Sequence, residues 1–108
     1  MDNVTFKAKK FPVVTLCGST KFKDEFIEAQ KELTLKGYIV ISVGLFGHSG
    51  DDLCGLKDML DEMHKRKIDM ADEIFVINKG GYIGSSTKSE IEYAKANNKK
   101  VSYLEDLF

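Results

Sequence analysis

Apolar residues along this chain follow two alternating rhythms. Compact apolar runs occupy residues 12–17 (PVVTLC), 38–43 (YIVISV), 73–78 (EIFVIN) and 100–104 (KVSYL), and they read as strands. Between them the apolar positions spread to helical spacing. Phe22, Phe26, Ala29, Leu33 and Leu35 predict a helix over residues 21–36, stopped by Gly37. Leu53, Leu56, Leu60 and Met63 predict a second over 53–70, and Ile91 with Ala94 a third from about 87 to 97. Residues 44–52 are a loop rich in Gly, Ser and Asp, and residues 105–108 form a tail. Strands this continuously apolar belong in a parallel sheet covered on both faces. Right-handed crossovers then predict one small α/β domain over residues 1–108, with its core at about 12–104. Its form is a doubly wound, flavodoxin- or Rossmann-like parallel sheet of about four strands, order 2-1-3-4, with helices on both faces.

In such a sheet, ligands bind beyond the carboxyl ends of the strands near the switch between strands one and three. Both glycine-rich turns of the chain leave those two ends. The first is Gly18-Ser19-Thr20-Lys21. The second runs through Gly80 and Gly81 to Gly84-Ser85-Ser86-Thr87 and opens a helix carrying Glu90. Backbone N–H groups at a helix start, hydroxyls and a lysine suit an anion such as phosphate. The bland reading of the first turn is a serine-capped helix with a solvated lysine. It is neither a P-loop nor a dinucleotide fingerprint, because both glycine spacings are absent.

Glu90 also supports two readings. Thr87-Lys88-Ser89-Glu90 matches a capping box, in which the glutamate bonds back to the helix's first amide. Helix phase sets Glu90 near the Ile91/Ala94 core face and turns Glu92 toward solvent, so Glu90 also aims at the sheet edge where a ligand would lie. His64 is a general acid or ligand contact on one reading and a partly exposed bystander on the other. Asp51, Asp52, Asp61 and His48 are further candidates, and Tyr82 either stacks on a base or covers the sheet edge.

Composition narrows the classes. The chain has 108 residues, 43% hydrophobic and 31% charged, and its 16 basic residues nearly balance 17 acidic ones. No extended nucleic acid and no membrane surface is favoured as a partner. No apolar run approaches the roughly 20 residues of a bilayer span, and residues 1–10 lack a signal-peptide core. Cys17 and Cys54 have no CxxC or ligand spacing, so reduced cytoplasmic thiols are expected, Cys17 as a small buried hydrophobe. No metal and no cofactor is expected, since no His/Cys/Asp group has ligand spacing.

Two motifs together carry a resemblance. Leu16-Cys17-Gly18-Ser19-Thr20 resembles the strand-one turn of the nucleoside 2-deoxyribosyltransferase superfamily, above all its 2′-deoxynucleoside 5′-phosphate N-hydrolases. The stretch from Ala71-Asp72 through the Gly/Ser turn to Glu90-Ile91 and Ala94 resembles the second signature of that superfamily. The GYIGxSTxxEIxYA pattern is most like a branch of small bacterial and phage proteins described as deoxyribosyltransferase-like. The resemblance implies that Glu90 attacks the anomeric carbon to form a glycosyl-enzyme, resolved by water or by a second base. It implies a 5′-phosphate held by Ser19, Thr20, Lys21, Ser85, Ser86 and Thr87, and a homodimer or larger assembly with a neighbouring subunit completing the pocket. The chain departs from the pattern where relatives carry a second acid, an aspartate. His64 stands there, with Asp61 and Asp69 as the nearest acids, so either His64 takes over an acid role or the chemistry differs. Glu92 replaces a glycine of the pattern. Gly80-Gly81 with Thr87-x-x-Glu90 also echoes the phosphoribohydrolases that activate cytokinins, and a non-catalytic nucleotide sensor is the third reading.

Overall fold

The computed structural model describes residues 8–47 and 55–105. Four strands, β1 (Val13–Gly18), β2 (Ile39–Ile41), β3 (Glu73–Ile77) and β4 (Lys100–Tyr103), form one sheet of order β2-β1-β3-β4. All pairings are parallel, from Val13↔Ile39 at one edge through Gly18↔Ile77 in the centre to Val76↔Tyr103 at the other. Among the described residues three α-helices cover it: α1 (Lys23–Leu35), α2 (Lys57–Asp69) and α3 (Ser85–Ala96). The predicted fold class and strand order are borne out.

The strand pleat explains the layering, because successive side chains leave opposite faces. Leu16 and Ile77 pack with Phe26 and Ala29 of α1, while Cys17, Ile74 and Val76 pack with Ile68 of α2 and Ile91 and Ala94 of α3. The start of the sheet is tied by Asp72, whose carboxylate accepts from the Val13 amide at 2.8 Å while its own amide donates to the Val13 carbonyl. Its far end is clasped by Asn78. The Asn78 amide donates to the Glu105 carbonyl at 2.9 Å, and its Oδ1 accepts from the Glu105 amide at 2.8 Å.

Element ends differ from the sequence expectation in instructive ways. The first helix is split, with a short 3₁₀ turn at Thr20–Phe22 ahead of α1. The second strand keeps only Ile39–Ile41 of its expected range, its pairing with β1 ending at Thr15↔Ile41. Helix α2 begins at Lys57; residues 53 and 54 lie outside the described residues, as do His48, Asp51 and Asp52. Helix α3 begins at Ser85 rather than near Thr87, because extended Gly84 (φ −78°, ψ 175°) serves as its N-cap. Among the described residues, no helix is long and apolar enough to cross a membrane.

Candidate functional site

The shift in the start of α3 removes the capping-box reading. Thr87 is the third residue inside the helix and is buried, and the N-cap Gly84 has no side chain to cap with. Glu90 therefore sits at the sixth helical position, beyond reach of the first amides. Its carboxylate turns instead into the molecule, where the residue is 9% exposed.

Residues 18–21, 84–87, His64 and Glu90 all line one cleft of about 670 Å³ at the carboxyl ends of β1 and β3. A pocket of this size takes a small molecule the size of a mononucleotide. The two turns contribute differently. Ser19 spends its hydroxyl locally, accepting from the Lys21 amide at 3.3 Å as cap of the 3₁₀ turn. Gly18 is required by packing rather than by a ligand: a Cβ there would lie 2.7 Å from the Ile77 carbonyl oxygen. Lys21 rests its ammonium 3.6 Å above the Tyr82 ring, a cation–π contact at the mouth of the cleft, with Phe22 edge-on to the same ring. At the second turn no side chain caps α3, and the first backbone bond of the helix is Lys88 to Gly84. The amides of Ser85, Ser86 and Thr87 precede it, and these residues line the cleft, an arrangement suited to an anion.

Sequence reasoning missed several wall residues. Lys57 Nζ donates to Asp61 at 2.6 Å and to Ser86 Oγ at 3.3 Å, and so brings a cation to the start of α3. Lys67 Nζ donates to the Ser42 carbonyl at 2.8 Å from a half-buried position, and that burial pulls its pKa down. Lys57, Asp61, His64 and Lys67 recur at three- and four-residue steps on α2, a polar stripe that helical spacing alone would have revealed. Of the acids near the expected aspartate, Asp61 lines the cleft. Asp69 is turned away, accepting from the Tyr93 hydroxyl at 2.6 Å.

At the floor of the cleft the structure assembles a cluster that no sequence spacing announces. The donor atoms of Cys17 (β1), His64 (α2) and Glu90 (α3) all lie within 4.8 Å of one another, and all three residues are buried. The Cys17 sulfur lies within 4.8 Å of the Glu90 carboxylate, so Cys17 is more than the inert hydrophobe expected of it. Burial drives the pKa of Glu90 up to about 7, partly offset by the thiol, and burial with the Glu90 charge pushes the Cys17 thiol well above its usual range.

His64 is buried too, not a partly exposed bystander. Burial, aided by Lys67, lowers its pKa to about 4, so at neutral pH it carries no charge. Its Nε2 lies 3.0 Å from the Leu16 carbonyl, an acceptor only, so Nε2 bears the hydrogen and donates it there; Glu90 Oε1 is 4.0 Å away. A Cys/His/Glu trio is a plausible donor set for a soft divalent ion. Yet the imidazole nitrogen nearest Glu90 is protonated and committed to Leu16, which favours reading the trio as a proton-sharing cluster.

Glu92 is exposed, as helix phase predicts. No protein-family model matches the chain, and neither does any curated protein or solved structure.

Proposed function

We propose that the chain cleaves or transfers at the N-glycosidic bond of a nucleotide or 2′-deoxynucleotide, with Glu90 as the nucleophile. The observation that carries this reading is a buried carboxylate at the floor of a nucleotide-sized cleft, beside an uncapped helix start rich in hydroxyls and amides. The 5′-phosphate sits at Ser85, Ser86 and Thr87, with Lys57 and Lys21 as nearby cations. That leaves the sugar over Glu90. A Glu90 oxygen attacks C1′, the C1′–N bond breaks with its electron pair going to the base, and the base takes up a proton from the water of the open cleft. Water then attacks C1′, gives up a proton, and returns the Glu90 carboxylate; in a transferase a second base does so instead. Uncharged His64 forms part of the wall beside the nucleophile and donates no proton to the base in this scheme. A second copy of the chain is the partner the reading carries with it, closing the cleft near exposed Met63. Light scattering that finds only monomer would remove that copy.

The raised pKa of Glu90 favours one other reading, a nucleotide sensor whose Glu90 only hydrogen-bonds ribose hydroxyls. Chromatography of free base after incubation with a panel of nucleoside and deoxynucleoside 5′-monophosphates separates the two. Base release is expected, rising with pH through about 7 as Glu90 ionises, and Glu90→Gln lowers it at least about 1000-fold. Nucleotide binding without any base release would sink the enzyme reading in favour of the sensor.

A further inference from the structure

Cys17 is fully buried in β1, on the face of the sheet that looks toward α2 and α3, with its sulfur against the Glu90 carboxylate. A glutamate side chain has three rotatable bonds, and a nucleophilic carboxylate is useful only when its plane is fixed. His64 does not do the fixing, since its Nε2 donates to the Leu16 carbonyl and lies 4.0 Å from Glu90 Oε1. Lys57 is held by Asp61 and Ser86. From the strand, the Cys17 sulfur reaches to within 4.8 Å of the carboxylate.

We propose that Cys17 is a positioning residue for Glu90: its S–H donates to one carboxylate oxygen and leaves the other facing the cleft. The inference rests on the reading of Glu90 as a nucleophile for its catalytic consequence, but the hydrogen bond itself does not. A thiol suits the place chemically. Being weakly polar, it costs little to bury in the cluster of Ile68, Ile74, Val76, Ile91 and Ala94. A thiolate would repel the carboxylate, and the same burial keeps the thiol protonated while Glu90 titrates. Burial sets this titration first, then Cys17 from β1 and Asp61, Lys65 and Lys57 from α2, with uncharged His64 4.0 Å away.

Infrared spectroscopy of the full chain tests the bond without reference to catalysis. The S–H stretch of Cys17, assigned by its disappearance in Cys17→Ser, is expected to shift as pH crosses about 7 and to lose that shift in Glu90→Gln. A band indifferent to both pH and Glu90→Gln would overturn the proposal. The kinetic arm applies once base release is established. Cys17→Ala is expected to lower kcat about 10- to 100-fold with little change in KM, and to move the ionisation of Glu90 to higher pH. Cys17→Ser, which keeps a donor, restores most of the rate. Unaltered kcat and pH profile in a folded Cys17→Ala would overturn the positioning role. If no base is ever released, the reading of Glu90 as a nucleophile fails alone, and the infrared result still decides the hydrogen bond.

Discussion

The two glycine-rich turns at the carboxyl ends of β1 and β3 look alike in sequence and behave differently in the fold. The turn at 18–21 uses its special groups on itself: Gly18 clears the Ile77 carbonyl, Ser19 caps the 3₁₀ turn, and Lys21 lies on Tyr82. The turn after β3 does the reverse. Gly80 and Gly81 take positive φ in open space, and Gly84 starts α3 without a cap, leaving the amides of the first turn facing the cleft. Composition marks a turn as capable of holding an anion, but what its groups already bond decides whether it is available. The second turn is thus the better anion site, and the first is its framework.

Substitutions can break that contrast, the largest effect first. Gly18→Ala forces a Cβ to 2.7 Å from a backbone oxygen in the middle of the sheet and is expected to cost about 3 kcal/mol in urea denaturation. Gly81→Ala meets no atom within 4 Å and costs only the strain of a positive φ, about 1 kcal/mol. Equal losses would erase the distinction between framework and site.

The reactive corner should show its strain as pH-dependent stability. The pKa of Glu90 rises from 4.5 to about 7 on folding, so its stabilising contribution is complete below 4.5 and lost as pH rises through 7. His64 runs the other way. Lowered from 6.5 to about 4, it contributes fully above 6.5 and loses that contribution as pH falls through 4. Across the overlap the two largely cancel in the native protein. Glu90→Gln uncouples them, so its stability relative to the native chain should grow between pH 4.5 and 7 and level off near about 3 kcal/mol above that. Thermal denaturation across that range measures it, and a difference that ignores pH would contradict the buried, raised carboxyl.

Smaller effects sharpen the assignment of the anion. Ser85 is the first residue of α3 and follows extended Gly84, a place that accepts proline. Ser85→Pro deletes one amide donor together with the serine hydroxyl, so it should keep the fold and weaken nucleotide affinity about tenfold in calorimetry, a loss of about 1.4 kcal/mol, with nucleoside affinity unchanged. Ser19→Ala removes the cap of the 3₁₀ turn and should lower stability by about 1 kcal/mol, with less effect on nucleotide binding than Ser85→Pro.

The fold was legible because each signal was local and repeated. The continuous apolar runs, helical spacing and Gly37 stop were enough for strand order and layers. The place of the two glycine-rich turns in the cleft followed from one topological rule about the carboxyl ends of a parallel sheet. What sequence could not convey was the direction and partner of single side chains. Thr87-x-x-Glu90 satisfied a capping pattern that the backbone set aside by starting the helix at Ser85. Cys17 and His64 lie 47 residues apart in number, and only the packing of β1 against α2 and α3 brings them to Glu90. The polar stripe on α2 was readable, but its sense depended on knowing which face met the cleft.

Glu90 belongs to α3 and meets Cys17 of β1 and His64 of α2, whereas the cleft also takes Val43, Leu45 and Gly55 from the connection between β2 and α2. The division amounts to a chassis with a replaceable cassette. A library that rewrites the β2–α2 connection while leaving Cys17, His64 and Glu90 untouched can search for new ligands with the reactive corner held constant.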